Sequence, residues 1–127
     1  MENHDREALQ ALSKEQLIEL LGIYSKNWLA MDGAWFQAAE RRYGMGQAMQ
    51  LDCDAWKVFT VAEARRIKRF LRLPEHAGLP GLQKALALRF YANINTFSIQ
   101  MQGNSLLYQS IDCFVQSARK RKGMPYH

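Results

Sequence analysis

The chain has 127 residues, 48% of them hydrophobic and 23% charged, with a formal net charge of +5. That length allows one domain around one core, and the composition is ordinary for a soluble globular protein, which argues against wholesale disorder. No apolar run reaches the roughly 18 residues of a membrane span, the polar start Met-Glu-Asn-His-Asp is no leader signal, and the moderate charge permits an acidic partner without requiring one.

Residues 1–12 carry little pattern. Ser13-Lys14-Glu15-Gln16 has the form of a capping box, in which the serine hydroxyl takes a backbone N–H and the glutamine reaches back. From there Leu17, Leu20, Leu21, Tyr24, Trp28, Met31 and Trp35 recur at three and four residues, one apolar stripe on a helix. Gly44 supplies a C-cap, so the spacing predicts a helix over 14–43, with Gly33 a place where it could kink. Met45 to Leu51 reads as a short helical turn, and Asp52 or Asp54 then caps a second long helix over 55–72. The apolar face of that helix is Trp56, Phe59, Ile67, Phe70 and Leu71; its other face is basic, with Lys57, Arg65, Lys68, Arg69 and Arg72. Leu73-Pro74 ends it, and Pro80 suits the first turn of a third helix over 80–91.

Near Asn95 the period changes. Phe97, Ile99 and Met101 alternate with Ser98, Gln100 and Gln102, and Gly103-Asn104 is a two-residue turn signal. That turn sets Met101 opposite Leu106, Ile99 opposite Tyr108 and Phe97 opposite Ser110. An isolated hairpin is marginal in water, so its apolar face should lie on the helices. Asp112 then caps a short helix from Cys113 to Lys122, closed by Gly123. The expected fold is α+β: long packed helices, one antiparallel β-hairpin and a short C-terminal helix, in a single domain over 1–127.

Trp28-x3-Asp32-Gly33-x-Trp35-Phe36, Glu40, Tyr43-Gly44-Met45, Leu51-Asp52, Trp56, Glu63-Ala-Arg65-Arg66-Ile67 and the late Asp112-Cys113-x-Val115-Gln116-x-Ala118-Arg119-x-Arg121-Lys122-Gly123 together resemble a prokaryotic family of small cytosolic proteins catalogued as a domain of unknown function. The resemblance covers nearly the whole chain and implies a cytoplasmic location but no activity. It also implies a further cysteine-bearing segment after Gly123, which this chain, stopping at His127, would lack. More distantly, helices followed by a hairpin and a Cys-bearing helix are similar to domains that bind hydrophobic or acyl ligands and to a thiazoline-carboxylate hydrolase family, an analogy of fold alone.

Glu63 is the residue most at odds with its surroundings, because a helical wheel sets it among Trp56, Phe59, Ile67 and Phe70. A charge buried alone is too costly to persist, so it must be paired, protonated or ligated. Arg42 projects onto the stripe of Tyr24, Trp28 and Trp35, with Asp32 at its edge, and Arg66 lies one turn from Glu63. The bland reading is a Glu63–Arg42 or Asp32–Arg66 pair that sets helix register. The functional reading is a ligand pocket between the first two long helices, roofed by the hairpin and lined by Trp28, Asp32, Trp35, Arg42, Glu63 and Arg66. A third is a pair of carboxylates acting as acid and base. The tryptophans themselves are more often core than binding platform.

Cys113 would sit at a helix N-terminus, which lowers a thiol's pKa, but His4, His76 and His127 have no triad-like support, so a structural thiol is the simpler reading. Cys53 and Cys113 are too sparse for a disulfide framework in a reducing compartment. No Cys-x-x-Cys or spaced His pair suggests a metal site, and no cofactor motif stands out. The basic runs, Arg65-Arg66, Lys68-Arg69, Arg72 and Arg119 to Lys122, lack a nucleic-acid motif and the residue mixture that reads base edges, so a solvated face is favoured over nucleic-acid binding. The first functional expectation is therefore a small-molecule binding or sensing domain. The alternatives are a hydrolase-like enzyme using Asp32, Glu63 or Cys113, and an interaction module using the basic face. The partners left open are a small-molecule ligand and a second copy of the chain, with no membrane.

Overall fold

A computed structural model describes residues 6–125. After a single turn, α1 (Glu7–Gln10), come two long helices, α2 (Lys14–Tyr43) and α3 (Met45–Phe70), and a shorter one, α4 (Gly78–Leu86). A 3-10 turn at Phe90–Asn93 leads into β1 (Thr96–Gln102) and β2 (Ser105–Asp112), and α5 (Phe114–Arg121) follows.

α2 has the bounds its spacing predicts. Its capping box is complete: Ser13 Oγ accepts the Gln16 N–H at 3.1 Å, and Gln16 Oε1 accepts the Ser13 N–H at 2.9 Å. Gly44, with φ of +84°, is the one residue between α2 and α3. A left-handed backbone at this reversal is open to glycine at little cost. α3 then runs back along α2, with Trp28 against Trp56 and Phe59, and Phe36 against Ala48.

α3 differs from expectation. Residues 45–51 are its first turns rather than a separate element, because Met45, Ala48 and Met49 pack on Phe36 and Ala39 and carry the helix straight from Gly44. Asp54 caps nothing; it lies 3.8 Å from Lys57 on the exposed surface. The third helix is also shorter than the expected 80–91. α4 stops at Leu86, and Phe90, which falls inside the expected span, belongs to the 3-10 turn.

The hairpin has the predicted register, with Met101 opposite Leu106, Ile99 opposite Tyr108 and Phe97 opposite Ser110. Phe97 and Tyr108 stack at 5.6 Å, and β2 leans on α4. α5 starts at Phe114 and takes its cap from an unexpected residue. The Phe114 N–H donates to Asn95 Oδ1 at 2.9 Å, while Asp112 accepts the Ser117 hydroxyl at 2.6 Å. Gly123 closes the helix as expected, in the left-handed region, and the Met124 N–H returns to the Arg119 carbonyl at 2.8 Å.

The core sits near the α2–α3 reversal, where Phe36, Ala39 and Ala48 are buried with Met45 and Met49 around them, and Leu29 lies further along α2. The stripe that the sequence points inward largely faces out: Tyr24, Met31 and Trp35 are exposed. The buried face of α2 is instead Ser25, Leu29, Phe36 and Ala39. Small residues there and at Ala48 let the two backbones approach, and Ser25 can be buried because its hydroxyl donates to its own helix at the Leu21 carbonyl, 2.9 Å away. No helix of the described residues is long and apolar enough to cross a membrane.

A candidate ligand groove between the two long helices

Two aromatic residues of the 3-10 turn cross the helix pair, and one of them, Phe90, lines the candidate site. Phe90 lies 4.7 Å from the Trp28 ring and 5.5 Å from Phe59, and Tyr91 lies 5.5 Å from Trp56. The roof is therefore this turn, and the hairpin, which was expected there, stands to one side on α4. Asn93 fixes the turn to α2 by donating to the Ser25 hydroxyl at 3.4 Å.

Glu63 lies beneath. Its side chain is only 14% exposed, as expected, but its partner is neither Arg42 nor Arg66. Arg89 Nε lies 3.5 Å from Oε1, and the Phe90 N–H donates to Oε2 at 3.2 Å. Glu63 thus ties α3 to the start of the 3-10 turn. Arg42 is exposed in the last turn of α2, beside the reversal, whereas Glu63 lies well along α3 on its way back. Arg66 is exposed on α3 at the edge of the groove. The groove outside this contact has a volume of about 680 Å³. Trp28, Phe59, Phe90 and Ile67 give it an apolar wall, and Glu63, Arg66, Ser25 and Asn93 give it polar points.

Three of the six expected site residues, Trp28, Glu63 and Arg66, meet in this groove. Asp32 lines a second cavity of about 480 Å³ between α2 and α5, with Leu29, Gly33, Phe36, Phe114 and Ala118. Trp35 and Arg42 line neither.

A family model described as a family of unknown function, DUF6125, matches residues 10–127. The chain belongs to that family. No curated protein and no solved structure matches it.

Two further polar features in this DUF6125 chain escape a reading of the sequence. Arg119 of α5, 4% exposed, reaches across to Glu40 of α2 with contacts of 3.3, 3.3 and 3.4 Å. Its Nε donates to the Pro125 carbonyl at 2.6 Å, and its guanidinium lies over the Phe36 ring. Glu40 and Arg119 both stand among the residues that carry the family resemblance, which is the one available signal; in the basic run Arg119 looks like any surface cation.

The second feature is electrostatic and centres on Tyr91. Burial holds its hydroxyl proton well above the ordinary range, with Asp32, Cys113 and Asp52 adding to the effect and Arg89 opposing it. Asp32 is shifted the same way: burial raises its carboxyl above the usual value of 3.8, and Asp52 raises it further. Asp32 and Cys113, the acid and the thiol of the enzyme reading, thus both bear electrostatically on one half-buried phenol. Cys53 is exposed on α3, and both thiols are free. Among the described residues, no group of three or more His, Cys, Asp or Glu could hold a metal ion.

Proposed function

We propose that this DUF6125 chain binds a small anionic amphiphile in the groove between α2 and α3, its apolar body on Trp28, Phe59 and Phe90 and its carboxylate or similar head at Arg66. The observation that carries this reading is the pairing pattern of the groove's charges. Glu63 is occupied by Arg89 and the Phe90 N–H, whereas among the described residues no carboxylate pairs with Arg66. The groove therefore offers one uncommitted cation beside an aromatic wall. A volume of about 680 Å³ is in the range of small-ligand sites, which join a mostly apolar lining to a few placed polar groups. The guanidinium suits a planar carboxylate because it can donate two parallel hydrogen bonds.

Titration with decanoate, followed by tryptophan fluorescence, tests this. Trp28 lines the groove, and Trp56 packs against it at 5.8 Å. A saturable change is expected, weakened at least about tenfold by Arg66→Glu and in decanol, which lacks the charge. A flat titration, or one that Arg66→Glu leaves unaltered, would refute the reading.

A further inference from the structure

We infer that α2 pairs with α2 of a second copy of this chain, through the outward stripe Leu17, Leu21, Tyr24, Trp28, Met31 and Trp35. The intervals along it are four, three, four, three and four residues, an uninterrupted alternation that recurs every seven residues. A helix that buries one face in a globule repeats near 3.6 and needs a wide stripe; a strict heptad alternation, with its period of about 3.5, is the narrow seam along which two helices wrap. All six residues are exposed, Met31 at 71%, Tyr24 at 58% and Trp35 at 52%. Beyond Trp35 the next two positions of the repeat are Ala38 and Arg42, so the seam ends in a charge at the α2–α3 reversal. The outer face of α3 shows the contrast. Leu51, Val58 and Val61 are exposed there too, but Asp54 holds the heptad position between Leu51 and Val58, Arg65 holds the one after Val61, and the row is broken.

The surface area leaves room for a partner of this size. The chain exposes 9733 Å². A compact monomer of 14.7 kDa is expected to expose about 6,900 Å². Setting aside about 1,200 Å² for the seven residues outside the described range still leaves roughly 1,600 Å² in excess. A stable interface buries about 800 Å² on each partner, and obligate dimers bury more. A second copy fits because a seam self-complementary along its length is what a two-fold contact requires. A second α2 would also close the open side of the groove, since Leu21, Tyr24 and Trp28 belong both to the seam and to its wall. The pairing does not rest on the ligand reading.

The test is sedimentation equilibrium of the full chain at about 50 μM with no amphiphile present, a concentration that populates any complex of micromolar affinity. Twice the 14.7 kDa chain mass is expected. Met31→Glu, which touches neither cavity, should weaken association at least about tenfold while helix content is unchanged, because it sets a charge in the middle of the seam. Ile23→Glu is the matched control: it is exposed on the same helix but off the repeat, and it should leave the dimer intact. A wild-type chain that sediments as a monomer would overturn the proposal. So would a dimer indifferent to Met31→Glu, or one that Ile23→Glu disrupts as much. Decanoate binding by a monomer would leave the ligand reading standing and this one refuted.

Discussion

Arg119 and Glu40 lock the last helix to the first long one. The pair is unequal in exposure, 5% for the arginine side chain and 21% for the glutamate, so the arginine depends on the contact more than its partner does. Removing Glu40 leaves the guanidinium with the Pro125 carbonyl and the Phe36 ring. Glu40→Ala is expected to cost about 2–3 kcal/mol, below the range for a fully buried pair because Glu40 is partly wet. Urea denaturation measures it. A loss under about 0.5 kcal/mol would mean that α5 is held by its apolar contacts alone.

Glu63→Gln should behave differently. The glutamine carbonyl can still accept the Phe90 N–H, so only the attraction of Arg89 is lost. The expected cost is about 1–2 kcal/mol, with Glu63→Ala costing more because the N–H is then stranded as well. Equal losses for the two variants would show that the Phe90 hydrogen bond contributes nothing.

Asp32 gives a pH dependence of definite sign. Its carboxyl titrates above 3.8 in the folded chain, so between 3.8 and that higher value the native state holds more protons than the unfolded one. Stability therefore falls as pH rises through that window, and the penalty is complete above it. Asp32→Asn should melt higher than wild type at pH 7, by roughly 1–2 °C once partial exposure is allowed for, and the difference should vanish below pH 3.8. A variant that melts lower at pH 7 would contradict this.

Asn95 should matter more than its place just before the hairpin suggests. Its side chain serves as the N-terminal cap of α5, so Asn95→Ala is expected to cost about 1 kcal/mol. Asp112→Ala should cost less, since Asp112 takes a hydroxyl from within the helix rather than a free backbone N–H. Amide exchange at Phe114 would report the cap directly, and protection unchanged by Asn95→Ala would exclude it.

Features that rest on near neighbours in the chain are legible in the sequence alone. The Ser13–Gln16 cap, the end of α2 at Gly44, the hairpin register about Gly103-Asn104 and the close of α5 at Gly123 are short-range features, set by backbone conformations and hydrogen bonds a few residues long. Glu63 is legible as an anomaly for the same reason, because a wheel needs only its own helix. Its partner is not: Arg89 is 26 residues away across a turn whose course depends on how Phe90 and Tyr91 settle on the tryptophans. Nor is the cap of α5, since Asn95 reaches it only once the hairpin has brought the two together. The largest difference concerns α2. Periodicity shows that a helix has an apolar stripe and cannot say what covers it. The tertiary structure sets the small residues Ala39 and Ala48 at the close approach of the two long helices and leaves Met31 and Trp35 outside, because backbones pack nearest where side chains are smallest.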